Sequence, residues 1–409
     1  MRSAQAIDDT ARPLDAMSRR VESRIIFVTV GVPGLGAPHH FMPAIWLKAR
    51  GFDVTCLVPS DSSDGIISTP VANIPCRTFG RGRGVLSKVV AQARLAGMIS
   101  RFVRQNPRSL VYVGGSSVSP GAYLGTRLID RRRVIYHTQD FLEPGKHRQW
   151  EYFEKRLARS AGQVISNEIN RARFMASHYR LNSIPVVVPT ALPGAWPKPL
   201  YDSELRARLA RQMGAADAKG MRLIISQGGY DPLRAGGYLL DALALLSARH
   251  CLVFTAMDEK HKHYAVFRAH VERLKLAGRV LALPMLGYEE MMRYTASCDV
   301  GVLLYPNDGV GNFYQAPGRL TQYLGCGLPV IASNFPGLEL LVLKHNLGAV
   351  SDPASAREIA GSIESLTNIA PEAEAGRRTR LRRLAATTLA YDAQAFRTEE
   401  AVERALAAC

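Results

Sequence analysis

Three sets of residues in this sequence have the types and spacing to do chemistry, and each follows a short apolar run. The first lies in the second half, where ASCDVGVLLYPN leads into GNFYQAPGRLTQYLGCGLPVIASNFPG. The pattern predicts a strand ending at Pro306, a loop, a helix from Pro317 to Gly327, and a new strand LPVIAS. Proline suits the first helical turn. The unpaired N–H groups expected along the stretch from Ala316 to Arg319 would then form an anion site built from backbone dipoles. The second set is SQGGYDPLRAGG, where Gly228 and Gly229 allow close approach of backbone to a ligand and Arg234 supplies a cation. The third is spread over the first half. His137 and Asp140 end the run RVIYHTQD, Gly34, Gly36, His39 and His40 lie in GVPGLGAPHH, and Asn167, Glu168 and Arg171 follow QVIS. A histidine at a strand end can orient or deprotonate a hydroxyl, or can simply cap a loop. No D-x-D follows a strand, and Asp61-Ser-Ser-Asp64 reads as a solvated loop, so no metal and no cofactor are expected.

The elements that must position these residues alternate regularly. IIFVTVG, FMPAIWLKARG and FDVTCLVP read as strand, helix and strand around a glycine-rich loop, a βαβ unit. Strands are expected again at 109–115, 133–140, 163–168 and 184–189, with helices at 85–106 and 149–162. After TALPGAWPKPL, with its three prolines, the alternation restarts at 222–229 and runs to GAVSD at 348–352, and 377–408 reads as mostly helical. Continuous apolar strands alternating with helices imply α/β architecture with parallel sheets covered on both faces. The expected fold is two Rossmann-like parallel-sheet domains facing across a cleft. Residues 1–22 are expected as a disordered tail, 23–192 as the first domain, 193–200 as a linker and 201–385 as the second domain. Residues 386–409 are expected as a C-terminal helix that can cross back to the first domain.

Composition narrows the class. With 409 residues, 34 Gly, 23 Pro and 47% hydrophobic residues the chain is an ordinary folded protein. No run of about 18 apolar residues is present to span a membrane, and MRSAQAIDDTARPLDAMSRR lacks the apolar core of a secretory signal. Six scattered cysteines without a C-x-x-C pair read as reduced thiols. The formal charge of +17 is lopsided: residues 1–200 hold 28 basic and 13 acidic residues, the remainder 24 and 22. An excess confined to one half suggests an anionic partner there. Lys88, Arg94 and Arg101 stud a helix at 85–106 that also carries Val89, Val90, Leu95 and Ile99, a pattern suited to an anionic membrane surface. Equally, it suits a crossover helix burying one face. No nucleic-acid module is present, so no nucleic-acid partner is expected.

The run Cys326-Gly327-Leu328-Pro329-Val330-Ile331-Ala332-Ser333, preceded by Pro317-Gly318-Arg319-Leu320-Thr321-Gln322-Tyr323, resembles the signature of family 4-type (group 1) glycosyltransferases of the GT-B fold. SQGGYDPLRAGGYLLDAL resembles the same family's phosphate loop, and LPMLGYEEMMRYTASCDVGVLLYP its following helix–strand segment. The first half matches in layout. The resemblance implies a donor site built from Gly228, Gly229, Arg234, Tyr314, Gln315, Ala316, Pro317, Gly318, Arg319 and Gln322. It implies a polar acceptor cluster at His137 and Asp140, with Gly34, Gly36, His39, His40, Asn167, Glu168 and Arg171 along the cleft. The sequence departs from the family where two glutamates stand eight residues apart: Tyr314 and Gln322 occupy those positions, and Gly229 replaces the phosphate-loop arginine.

The expected function is therefore a glycosyltransferase of glycan biosynthesis. It would move a sugar from a nucleotide-sugar donor to an unknown acceptor, with retention of configuration. The acceptor is expected to be anionic or lipid-linked. The expected location is cytoplasmic, peripheral at the inner face of the membrane. Two alternatives stay open: a catalytically weakened nucleotide-sugar-binding protein, and a nucleotide-sugar 2-epimerase of the same architecture.

Overall fold

In the computed structural model, residues 24–31, 38–82, 84–139, 142–199, 201–214, 220–231 and 235–407 are described. They form two sheets. The first comprises β1 (Arg24–Thr29), β2 (Asp53–Val58), β3 (Gly65–Ser68), β4 (Asn73–Thr78), β5 (Leu110–Gly114), β6 (Val134–Thr138), β7 (Gln163–Ser166) and β8 (Val186–Val187), in the order β3-β4-β2-β1-β5-β6-β7-β8. The second comprises β9 (Arg222–Ser226), β10 (His250–Phe254), β11 (Val280–Ala282), β12 (Val300–Leu303), β13 (Val330–Ser333) and β14 (Gly348–Ser351), in the order β11-β10-β9-β12-β13-β14. The fold is α/β, two Rossmann-like domains, as the alternating pattern predicts. Chain order reverses between β1 and β5 and between β9 and β12. Ligands of such sheets bind beyond the carboxyl ends of the strands at these switch points.

Every strand pair is parallel except β3–β4. This edge hairpin is missing from the sequence reading. Three of the four β3 residues are exposed, so there is no apolar run to find, and only β4 shows the alternation of a half-buried strand. The Asp61 and Asp64 loop staples it: Asp61 accepts the Arg81 amide at 2.8 Å and Asp64 the Thr78 amide at 2.9 Å.

Each sheet is covered on both faces. The helix Val85–Gln105 buries Ala91, Leu95, Ile99 and Val103 against the first sheet, while Val85, Leu86, Val89 and Val90 at its start remain exposed. Among the described residues no helix is long and apolar enough to cross a membrane. In the second domain, buried Asp299 accepts from Arg206 at 2.9 Å, from Arg378 at 3.0 Å and from the Leu223 amide at 2.7 Å. This tie fixes two surrounding helices to the start of β9.

The predicted helical stretch 377–408 is two helices, Pro371–Ala386 and Asp392–Ala407. Between them the Tyr391 amide donates to Leu192 O at 2.9 Å. The last helix packs into the first domain's core through Ala395, Ala401, Val402 and Ala405. Its buried Glu399 accepts from Trp46 Nε1 at 2.8 Å and from Arg50 Nε at 2.6 Å. Within 193–199, Trp196 is buried in the same core and meets the Tyr288 ring edge-on at 6.5 Å. The five described cysteines are free and buried.

Candidate active site

A cleft of about 730 Å³ lies between the two domains, at the carboxyl ends of both sheets. Its first-domain wall comes from residues at strand ends and from the helical turn that holds His40. His137, the fourth residue of β6, is buried. Its Nδ1 pairs with the Tyr112 hydroxyl at 2.9 Å, and its Nε2 has no partner among the described residues. Burial, reinforced by the charge of nearby His40, pushes its pKa down to about 3. The imidazole is therefore neutral at physiological pH. It can donate or accept a hydrogen bond but is a poor proton acceptor. His40 Nδ1 pairs with Gln139 Oε1 at 3.0 Å, and the Asn167 amide donates to Gln139 O at 3.0 Å. His40, Gln139 and Asn167 all line the cleft.

The second wall is built at the β9–β12 switch point. Gly228, with φ of 101°, follows β9 and lines the cleft, but its amide already donates to Thr255 Oγ1 at 3.1 Å. The turn therefore offers a ligand proximity rather than that N–H. Gly229 has φ of 77°, and a Cβ there would lie 2.9 Å from Ala256 O. The helix expected from Pro317 to Gly327 is Arg319–Gly325, starting two residues later. The Ala316 amide is taken by Gln315 Oε1 at 3.1 Å, so the expected set of open amides is smaller by at least one. In their place stands Arg319. Its guanidinium donates to Gln227 O and to the Tyr305 hydroxyl, and it lies 5.5 Å from the Tyr305 ring centre. No carboxylate among the described residues pairs with it. Gln322 is 2% exposed and its Oε1 has no partner among the described residues.

The predicted site residues divide accordingly. His40, His137, Asn167, Gly228, Gln315, Ala316, Pro317, Gly318, Arg319 and Gln322 come together around the cleft. Gly229, Tyr314, Glu168 and Arg171 do not line it. Glu168 caps the helix Ile169–His178 by accepting the Arg171 amide at 2.8 Å, and Arg171 reaches across to Gln315 Oε1 at 3.0 Å. Tyr314 ends the short helix Val310–Phe313 and packs against Phe313. Gly34, Gly36, Asp140, Arg234 and the His39 side chain lie outside the described residues. Among the described residues, no group of three or more metal-binding side chains is present.

Residues 222–368 match the family described as Glycosyl transferases group 1. The chain resembles the group 1 glycosyltransferases. The match lies within the second domain, which carries Arg319 and Gln322. Among solved structures, a sucrose-phosphate synthase from Thermosynechococcus elongatus aligns at 15% identity and a TM-score of 0.74, covering 95% of this chain and all of that one. HepE from Anabaena, solved with UDP and glucose, aligns at 18% identity and 0.70, covering 94% of this chain and 100% of HepE. A glycosyltransferase from Rickettsia africae aligns at 13% identity and 0.69, covering 94% and 98%. At these identities the likeness establishes the fold, two facing GT-B domains. No curated protein matches the chain.

Two cleft-lining residues, Gln139 and Tyr305, and the buried Tyr112 that pairs with His137 escape the sequence reading. Gln139 sits between His137 and Asp140, and Tyr305 closes the LLYP run, so the signal for both was a polar or aromatic residue at a strand end. Tyr112 is inside an apolar run, and nothing in its spacing marks it.

Proposed function

We propose that this protein transfers a glycosyl group from a nucleotide-sugar donor, held by the second domain, to an acceptor held by the basic first domain. The observation that carries the reading is Arg319: a cation in the interdomain cleft, without a carboxylate partner among the described residues, beside the unpartnered Gln322 Oε1. Departure of a nucleoside diphosphate needs positive potential at its oxygens, and a preorganised cation in a shielded site supplies it. Arg319 stays charged at any physiological pH and presents a planar fork to phosphate. Gln322 Oε1 accepts a ribose hydroxyl where the family's carboxylate would. HepE, solved with UDP and glucose and with UDP-glucose, supports a uridine nucleotide as the first donor to try.

On the opposite wall, neutral His137 orients the acceptor hydroxyl through Nε2 rather than removing its proton. We infer retention of configuration from the family resemblance. We further propose an anionic or lipid-linked acceptor and a peripheral position on the cytoplasmic face of a membrane. The exposed Val85, Leu86, Val89 and Val90 beside exposed Lys88 and Arg94 favour that position. Basic residues near an anionic surface contribute about 1 kcal/mol each.

Two experiments test this. Purified protein is incubated with nucleotide sugars, with and without candidate acceptors, and free nucleotide is measured. Transfer requires release that depends on the acceptor. Conversion of donor alone would show a nucleotide-sugar 2-epimerase, and donor binding with neither reaction would show a weakened, non-catalytic relative. For the membrane, the protein should sediment with phosphatidylglycerol vesicles and not with phosphatidylcholine vesicles, and salt should release it. Replacing Lys88, Arg94 and Arg101 with Glu should abolish sedimentation. Failure of the wild type to bind anionic vesicles at low salt would leave a soluble acceptor as the better reading.

A further inference from the structure

We propose that Glu143 and Arg171 of the first domain are positioning residues that latch the second-domain loop 309–315 across the cleft. Gln315 and Ala316 then stand on the cleft wall only while the two domains are closed. The geometry is independent of the transferase reading; only the consequence for turnover rests on it.

Glu143 lies in the segment after β6, the strand that carries His137. Its Oε2 accepts the Val310 amide at 3.0 Å and its Oε1 accepts the Gly311 amide at 2.6 Å. One carboxylate thus takes an amide on each oxygen, from residues 167 and 168 positions away in sequence. Such charge-assisted bonds are roughly twice as strong as neutral ones. Gly309, at φ of 150°, completes the fit: a Cβ there would collide with the Glu143 carboxylate. Arg171 holds the other end of the loop, donating to Gly311 O and to Gln315 Oε1, which also accepts the Ala316 amide. Arg171 in turn donates to Asn167 Oδ1 at 3.3 Å, and Asn167 donates to Gln139 O on the first wall. The same first-domain elements therefore build one wall and hold the loop that builds the other.

Two walls joined in this way are energetically coupled. A ligand that steadies the β6 side favours closure and so steadies the 309–315 loop, and the reverse effect has the same size. In turnover, loss of the latch should raise the KM for both substrates, because each then binds a cleft that is open part of the time.

The test uses the full-length, ligand-free protein, so failure of the transferase reading leaves it intact. Backbone hydrogen exchange is followed in peptides spanning 309–316, with small-angle scattering for domain closure and thermal unfolding for fold integrity. In Glu143→Gln one acceptor oxygen becomes an NH₂ that faces an N–H. Exchange of the 309–316 amides should rise about tenfold or more, the weight of a charged hydrogen bond. The radius of gyration should increase while the melting temperature stays nearly constant. Glu143→Asp, with the charge kept and the reach shortened, should fall between the two. Wild-type exchange and wild-type scattering in a folded Glu143→Gln would overturn the proposal. If Glu143→Gln does not accumulate as folded protein, Glu143→Asp decides alone: faster exchange supports the latch and unchanged exchange overturns it.

Discussion

The two walls of the cleft are built by different means. The second-domain wall is a matter of backbone: Gly228 at positive φ, a loop that passes through Pro317, and a seven-residue helix that sets Arg319 and Gln322 over the sheet. The first-domain wall is a matter of side chains, with Gln139 and Asn167, just past strand ends, and His40, in the short helical turn Pro38–Phe41, joined by hydrogen bonds between 3.0 and 3.3 Å. A wall that depends on backbone conformation constrains residue type at fixed spacing. A wall that depends on side chains from separate elements leaves only scattered polar residues in the sequence. The contrast also predicts how each fails: the second wall through its scaffold and its charge, the first through loss of individual hydrogen bonds.

The largest effect should come from the scaffold. Asp299 is 5% exposed and satisfies Arg206, Arg378 and the Leu223 amide together. Removing one member of a buried ion pair strands the others, at a cost of about 3–5 kcal/mol. Asp299→Ala should lower the unfolding free energy of the second domain by that amount, as read from urea denaturation. A loss of under about 1 kcal/mol would show that water reaches the pair and that the wall is not fixed from below.

Next is the charge on the wall itself. Arg319→Ala should weaken UDP binding by about 1.5–3 kcal/mol, the range for hydrogen bonds to charged groups, as read by calorimetry. Unchanged affinity would remove Arg319 from the donor site. Because its guanidinium also holds Gln227 O and the Tyr305 hydroxyl, Arg319→Lys is the companion variant. It keeps the charge but not the fork, and should recover part of the affinity.

On the first wall the handle is pH. His137 has a folded pKa of about 3, below the ordinary value of 6.5. Between those values the unfolded chain binds a proton that the folded chain does not. The stability associated with a neutral His137 is therefore complete above pH 6.5 and is lost as pH falls toward 3. His137→Asn should flatten part of the fall in urea midpoint between pH 7 and pH 4; an unaltered slope would place the acid sensitivity elsewhere, with His250, also depressed by burial, as the next candidate. By the same reasoning, turnover should show no step from His137 between pH 5 and 8.

The smallest effect is expected at Gln322. Gln322→Glu restores the family's residue at a buried position where Oε1 has no partner among the described residues. UDP affinity should stay equal or improve slightly. A large loss would show that Gln322 is matched to something other than paired ribose hydroxyls.

Legibility in the sequence followed the same division. Pro317, Gly327 and the run after Gly327 were readable because a strand–loop–helix–strand turn restricts which residues fit, and the helix was misplaced by only two residues at each end. The alternation of strand and helix gave both sheets. The β3–β4 hairpin was not readable, since β3 has too little buried surface to leave a pattern. Glu143 and Tyr112 were not readable either. Glu143 acts on a loop 167 positions away, and Tyr112 is a polar hydroxyl within an otherwise apolar buried strand. Arg319 was named for its place at a helix start, whereas its position in the cleft, over Tyr305, is a fact of tertiary structure.

The central claim is that the second wall holds a nucleotide sugar, and a thermal-shift screen tests it most directly. Full-length protein is melted with UDP-glucose and a panel of other nucleotide sugars, alongside Arg319→Ala. A true donor at 100 times its Kd stabilises the fold by about 2.7 kcal/mol. The account predicts a clear rise in melting temperature for one member of the panel, and a rise much reduced in Arg319→Ala. A wild-type protein that no nucleotide sugar stabilises at millimolar concentration would contradict it.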